Sequence, residues 1–219
     1  FLVLVTCVPL VHLVANAGLV VEQSGGRLEQ AWSLAKFTQS IALAPIRYRA
    51  EFLWSLSIGD AAATLSISIV APLAWLARRG FGRSSVALFV AAVGLGTPGP
   101  MVGLSLAFLF SLSSMSFVHW LSVRTILVPT LAMTVRAVPF AILALWYVFR
   151  SIAQNQIDSA AIDGAGPWTR FSLIAIGQRI PAIAITWIVA MAVAWGDVSA
   201  SILTLPPGVE TIQVRVFGL

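Results

Sequence analysis

The chain has 219 residues, of which 59% are hydrophobic and only 10% are charged. Soluble globular proteins carry about a quarter charged residues, so this composition predicts a protein that spans a lipid bilayer. The formal net charge is +5, but the 13 basic residues are scattered along the chain, so a nucleic-acid partner is not indicated.

The residue types used in metal and nucleophile chemistry are few. Cys7 is the one cysteine, which excludes an internal disulfide, and the only histidines are His12 and His119. These residues do not form a cluster with metal-ligand spacing or a nucleophile with its base. We therefore expect no catalytic activity, no cofactor and no bound metal in this chain.

Uncharged runs mark the predicted spans, because a bilayer core takes about 20 apolar residues of helix. The first run covers residues 1–21. It has no leading Met, basic start or secretory cleavage site, so we interpret it as a helix from the interior of a longer protein. Residues 22–50 are predicted to form an external segment of mixed charge. Residues 32–43 within it are either part of a packed surface loop or a helix lying at the membrane interface.

A second span is predicted over residues 54–77. Arg78, Arg79 and Arg83 follow it and form a dense basic end of the kind found on cytoplasmic sides. Asp60 lies near the other end of this span, about 26 Å from the basic end at 1.5 Å per residue. Asp60 is therefore placed close to the opposite membrane surface.

A third span is predicted over residues 86–112, with the sequence GLGTPGPMVG in its middle. Pro98 and Gly99 interrupt the helical hydrogen bonds there, and broken backbone is tolerated inside a bilayer only where protein or a water-filled cavity covers it. The interruption should therefore face the bundle interior. It serves either as a hinge or lining of a solute path, or as a close helix crossing through small residues. Residues 113–124 are expected to form a short loop.

The fourth span is predicted over residues 125–149 and the fifth over residues 181–203. Arg136 lies near the centre of the fourth span, where a lone charge is costly, so it should face the bundle and find a partner. Asp197, near the outer end of the fifth span, and Asp60 are the candidate partners. Arg136 then serves either in a structural ion pair or in direct contact with a solute.

The longest polar interval between two spans covers residues 150–180. Its first part, around Asp158, favours a short helix with a small-residue face, which Gly164 can end because glycine adopts positive φ readily. Pro167 suits the first turn of a second helix. In that helix the spacing of Trp168, Phe171 and Ile174 predicts one apolar side.

This interval resembles the cytoplasmic loop signature of permease subunits in binding-protein-dependent ABC importers, Glu-Ala-Ala followed by Gly. The matching positions are Asp158, Ser159, Ala160, Asp163, Gly164, Ala165, Trp168, Arg170 and Phe171. The chain departs from the signature at Asp158, at Ser159 and at Ile176-Gly177, where Glu, Ala and Leu-Pro are usual. The resemblance implies an all-α transmembrane bundle of the type I, MetI-like fold, with about five spans here and a sixth missing. It also implies that residues 150–180 form a cytoplasmic coupling loop that ABC ATPase subunits bind, with Trp168 and Phe171 as buried anchors.

A second stretch, LPPGVETIQVRVFGL at residues 205–219, is similar to one found in permeases of the ferric-iron and thiamine branch of that family. This resemblance implies ferric iron as the cargo, with thiamine or another small solute as the alternative. It further implies that the chain is an internal piece, the later half of a permease with two similar halves. The implied partners are a periplasmic solute-binding protein, a second permease half or subunit, and the lipid bilayer of a bacterial inner membrane, which the chain crosses several times.

A secondary transporter or a channel, which needs no ATPase, is the alternative class. Such proteins more often show inverted repeats and carboxylates near the middle of the membrane. In this sequence Arg136 is the only charge placed deep in a span, and no segment has a second copy.

Overall fold

A computed structural model describes residues 7, 11, 14–15, 18–24, 27–112 and 116–217. The chain divides into two compact units, Phe1–Phe52 and Leu53–Leu219. Most of the first predicted span, residues 1–21, lies outside the described residues.

The first unit contains a β-hairpin and a helix. Strand β1 (Leu19–Ser24) pairs antiparallel with β2 (Arg27–Trp32). The end of the predicted first span is therefore strand rather than helix, because the backbone of these residues pairs with β2. Helix α1 (Leu34–Arg47) follows, and the Ser33 side chain accepts a hydrogen bond from a backbone N–H of its first turn. Of the two interpretations of this segment, the structure has the helix, and its position at a membrane interface stays a prediction.

From residue 49 onward, the regular secondary structure of the described residues is helical. The helices are α2 (Arg49–Ala77), α3 (Phe81–Gly96), α4 (Gly99–Ser111), α5 (Ser116–Arg124), α6 (Leu127–Arg150), α7 (Gln154–Ile162), α8 (Pro167–Gly196), α9 (Val198–Ser201) and α10 (Ile212–Phe217). Among the described residues, α2, α6 and α8 are long and apolar enough to cross a membrane, and α3 with α4 makes a fourth span if the bent pair is counted as one. This architecture is consistent with a helical membrane protein. The second and fourth predicted spans correspond to α2 and α6, within a few residues at each end.

The third predicted span differs from the prediction. It consists of two helices, α3 and α4, which are bent by 94° relative to each other rather than forming one kinked helix. Pro98 has no N–H to donate to the Gly94 carbonyl, so the helical ladder stops, and Thr97 and Pro98 are extended. The prediction of a loop over residues 113–124 is also wrong for residues 116–124. These residues form α5, whose sequence contains neither glycine nor proline.

The helix that contains most of the fifth predicted span, residues 181–203, has different ends from that span. Helix α8 begins at Pro167 and ends at Gly196, because Asp197 has non-helical dihedral angles and its carboxylate caps the next helix, α9. Helix α8 contains a π-helical segment, Arg170–Ile176, and a 3-10 turn, Gly177–Arg179. Pro181 follows and has no N–H for an i−4 bond, so the change in hydrogen-bond spacing coincides with a missing donor.

Small residues line the contacts between the long helices. Helix α6 packs against α8, α3 and α4, and side chains of α2 share clusters with those of α6 and α8. The fully buried alanines of these clusters are Ala62, Ala63, Ala74, Ala91, Ala132, Ala137, Ala141, Ala175, Ala190, Ala194 and Ala200. Membrane helices associate through such residues, because small side chains let their backbones approach closely.

Candidate functional site

Residues 150–180 include helix α7, a tight turn and the first turns of α8. Gly164 follows the last turn of α7 with φ of 82°, and its N–H donates to the Ala161 carbonyl at 3.2 Å. The Ala165 N–H donates to the Ala160 carbonyl at 2.9 Å, which completes a Schellman motif. Pro167 stands at the first position of α8. The sequence therefore predicts this turn correctly, with Gly164 at the position that requires positive φ.

Aromatic packing fixes this turn to the ends of two long helices. Phe171 is buried, and its ring lies 6.1 Å from that of Trp75 and 6.5 Å from that of Phe149, measured between centroids. Ile157 of α7 is buried in the same cluster. We call these four residues the loop anchor. The prediction of Phe171 as an interface anchor is wrong, because its side chain is covered by its own chain.

The rest of the loop is open. Ile162 is 86% exposed and Trp168 is 74% exposed, although large apolar side chains are usually buried. Asp158, Ser159, Asp163 and Gly164 are also exposed, and Ala160, Ala165 and Arg170 are half-buried. The exposed part of the predicted signature is thus an acidic surface with two apolar side chains on it.

Basic side chains lie beside this surface. The Arg79 guanidinium is 3.7 Å from the Asp158 carboxylate, and both side chains are about half exposed. The guanidinium carbon of Arg78 lies 3.1 Å from the centroid of the Trp75 ring, and its Nη1 donates to the Trp75 carbonyl at 2.9 Å. Burial, together with the charges of Arg79 and Arg170, lowers the pKa of Arg78 to about 10.

A second polar site joins α6 to the segment after α8. Arg136 Nε donates to the Asp197 carboxylate at 2.5 Å, and the two side chains are 21% and 11% exposed. The carboxylate also accepts from the Ser199 hydroxyl at 2.6 Å and from the Ala200 N–H at 3.1 Å. Of the two predicted partners of Arg136, the structure selects Asp197. Arg136 therefore takes part in an ion pair, as one of the two interpretations requires.

Arg136 also covers the break between α3 and α4. Its Nη1 donates to the Thr97 carbonyl at 2.6 Å and makes a longer contact of 3.4 Å with the Gly94 carbonyl. The Gly94 carbonyl receives no helical hydrogen bond, because Pro98 has no N–H to donate. A bilayer offers no water to a free carbonyl, so a broken helix there needs a donor from the protein. The guanidinium supplies that donor while its charge is balanced by Asp197.

Close packing explains the glycines after the break. Gly99 is buried, and a Cβ there would overlap the Ser199 hydroxyl and approach the Asp197 carboxylate. A Cβ at Gly103 would lie 2.7 Å from the Ala200 carbonyl oxygen. The structure thus has the close crossing that the sequence allowed. Pro98 is exposed, and an open cleft of about 450 Å³ borders the ion pair between α6 and the end of α8.

Asp60 is not a partner of Arg136. It is exposed on α2 and lines a separate open cleft of about 610 Å³ with the threonines Thr64, Thr125 and Thr130. Sequence reasoning also missed the role of Trp75 and Phe149 in the loop anchor. The signal available was that each lies at the cytoplasmic end predicted for its span.

Among the described residues, no group of three or more His, Cys, Asp or Glu side chains could hold a metal ion. No family model matches the chain, and no curated protein matches it.

Proposed function

We propose that this chain is the membrane-spanning permease subunit of a binding-protein-dependent ABC importer, with the type I, MetI-like fold. Residues 150–180 are its cytoplasmic coupling loop, which the ATPase subunits bind. The bundle lies in a bacterial inner membrane and crosses it five times in this part of the chain, and the ATPase subunits, not this chain, hydrolyse ATP. The signature at Asp158–Phe171 and the geometry of the turn that carries it support this proposal.

One observation carries it. The turn at Gly164 presents Ile162 and Trp168 to the outside, while Ile157 and Phe171 fix it from the inside. A loop without a partner gains nothing from two large exposed apolar side chains, whereas protein interfaces are enriched in such residues at their centres. The acidic side chains around them set the charge that a partner surface has to complement.

The loop anchor accounts for the transmission of movement. Phe171 contacts Trp75 at the end of α2 and Phe149 at the end of α6. Packed aromatic rings resist relative displacement because protein interiors are close-packed. A displacement of the loop by an ATPase is therefore passed to both spans together. This arrangement replaces the predicted role of Phe171 as a contact of the ATPase itself.

We place the solute path in the helix bundle that packs around α6. The ion pair of Arg136 with Asp197, the break at Pro98 and Gly99, and the cleft beside them form a polar feature in an otherwise apolar bundle. We propose that this feature lies along or beside the path. Ferric iron is the proposed cargo, with thiamine or another small solute as the alternative, and a periplasmic solute-binding protein delivers it.

Two variants test the coupling role. Gly164→Val forces a side chain into the positive φ region, and Asp158→Lys inverts the charge of the exposed surface. We expect both to insert into the membrane and to lose solute-stimulated ATP hydrolysis in vesicles that contain the complete transporter. The complex purified from the native membrane should contain an ATP-binding subunit, and the variants should retain less of it.

Gly208 offers a matched control. Its φ is 83°, and a Cβ there would meet nothing within 4 Å, as is also true of Gly164. Gly208→Val therefore imposes similar backbone strain outside the loop and should leave the ATP-binding subunit attached. Undiminished solute uptake in Gly164→Val and Asp158→Lys would show that the loop does not couple. Transport without any ATP-binding subunit would instead support a secondary transporter or channel.

A further inference from the structure

Four arginines converge on a cavity at the end of α2. The cavity has a volume of about 190 Å³, and we call it the arginine pocket; its basic lining residues are Arg78, Arg79, Arg83 and Arg170. The Asp158 carboxylate, 3.7 Å from Arg79, is the ion-pair partner that the described residues provide there. One carboxylate against four guanidinium groups leaves an excess of three positive charges, so the pocket suits an anionic ligand.

The geometry of Arg78 favours an anion with several oxygens. Its guanidinium lies on the face of Trp75, and Nη1 donates to the Trp75 carbonyl. Among the described residues this is its one hydrogen bond, so its other N–H groups are available to a ligand. A guanidinium held flat on an aromatic ring loses little freedom on binding, and its fork of donors matches the oxygens of a phosphate group.

The mutual repulsion of the arginines also favours an anionic ligand. Burial, and after it the charges of Arg79 and Arg170, lowers the pKa of Arg78 to about 10, which still leaves it protonated at neutral pH. Like charges held together in this way are costly without a counter-charge. A bound anion removes that repulsion.

An apolar groove lies beside the arginine pocket. It has a volume of about 460 Å³, runs between α2, α3 and α6, and is lined along its length by Val86, Val90 and Ile142. Leu76 and Arg83 line both cavities, so the two lie next to each other. Three of the arginines, Arg78, Arg79 and Arg83, follow the last residue of α2. The pocket therefore lies where a spanning helix leaves the hydrocarbon, and the groove extends back along the span.

We propose that the arginine pocket and its apolar groove together bind one anionic phospholipid. The phosphate of its headgroup lies among the arginines, and one acyl chain lies in the groove. Basic pockets at the ends of spanning helices suit anionic headgroups, and the groove distinguishes a lipid from a soluble phosphate. This inference requires that the chain lies in a bilayer, and it does not require the coupling role. If both hold, the lipid links the coupling loop, through Arg170 of α8, to the ends of α2 and α3.

The test uses the full chain in detergent, with native mass spectrometry of bound phosphatidylglycerol and phosphatidylcholine. The pocket variant is Arg83→Gln with Arg170→Gln, and the matched control, which removes the same charge elsewhere, is Arg124→Gln with Arg215→Gln. We expect the wild type to prefer phosphatidylglycerol and the pocket variant to bind it at least about tenfold more weakly, since each lost charged hydrogen bond costs roughly a decade of affinity. The control should bind it like the wild type. Val90→Trp, which fills the groove, should weaken phosphatidylglycerol binding and leave binding of inorganic phosphate unchanged.

Three results would overturn the proposal. Equal binding of the two lipids would show no recognition of charge, and equal losses in the pocket and control variants would show a general effect of surface charge. Full displacement of the lipid by inorganic phosphate, with no effect of Val90→Trp, would show a soluble phosphate site instead. These lipid-binding measurements do not depend on the outcome of the ATPase experiments above, so the two proposals are tested separately.

Discussion

Removal of one member of the Arg136–Asp197 pair should destabilise the bundle substantially. The pair is mostly buried and closely contacted at 2.5 Å, and loss of one partner from such a pair leaves an uncompensated charge, which typically costs 3–5 kcal/mol. Asp197→Asn keeps a side-chain oxygen for the Ala200 N–H, so it removes the charge while the cap of α9 is preserved. Arg136→Met removes the guanidinium and leaves the carboxylate with the Ser199 hydroxyl and the Ala200 N–H.

We therefore expect a loss of about 3 kcal/mol in the free energy of unfolding for each single variant, at the lower end of that range because neither change removes every partner. The double variant should lose less than the sum, with a coupling energy of about 2 kcal/mol. The assay is reversible unfolding in mixed detergent micelles, followed by circular dichroism, for the wild type, both singles and the double.

The Arg215–Glu210 pair provides the comparison. Its atoms are 2.9 Å apart, but its side chains are 44% and 54% exposed, so solvent screening should reduce its coupling to between zero and about 1 kcal/mol. Additive effects of Arg136→Met and Asp197→Asn, or a coupling no larger than that of the exposed pair, would refute the reasoning. The ion pair would then be an incidental contact rather than the support of the broken helix.

Two further predictions concern packing. Phe149→Ala should lower the free energy of unfolding by about 3–5 kcal/mol, because removal of this fully buried ring of the loop anchor leaves a cavity. Trp168→Ala should change the free energy of unfolding by less than about 0.5 kcal/mol and should weaken retention of the ATP-binding subunit. Denaturation in micelles measures the stability, and co-purification measures the retention of the subunit. Gly59→Ala should cost about 1–3 kcal/mol, because its Cβ would overlap the indole of Trp195, and Trp195→Phe in the same chain should recover part of that loss. Full stability of Phe149→Ala, or an equal loss for Gly59→Ala with and without Trp195→Phe, would contradict the packing described.

The parts of the fold that were predicted correctly depend on local chemistry. Gly164 and Pro167 mark the turn between α7 and α8, because one residue provides positive φ and the other begins a helix without an N–H. The partner of Arg136 also followed from a local rule, since a charge in a span needs a counter-charge, and Asp197 was one of two candidates. Local rules of this kind can be read from a few residues.

The predictions that failed depend on contacts between distant segments. An apolar ring at helical spacing faces either a partner or its own chain, and only the positions of Trp75 and Phe149 decide this for Phe171. The uncharged run that ends at Val21 reads as a span, yet its last residues pair with β2. In the same way, hydropathy cannot separate one bent span from two helices at 94°, because both have the same composition.

The exposed position of the loop on the cytoplasmic side is the claim on which the account depends most. It is tested by placing one cysteine at the loop, Ile162→Cys in a Cys7→Ser background, because Ile162 is the most exposed large apolar side chain described in the loop. A membrane-impermeant maleimide should fail to label this cysteine in intact spheroplasts and should label it in inverted vesicles, less so when the ATP-binding subunit is attached. Labelling from outside intact spheroplasts, or no protection by that subunit, would contradict the account.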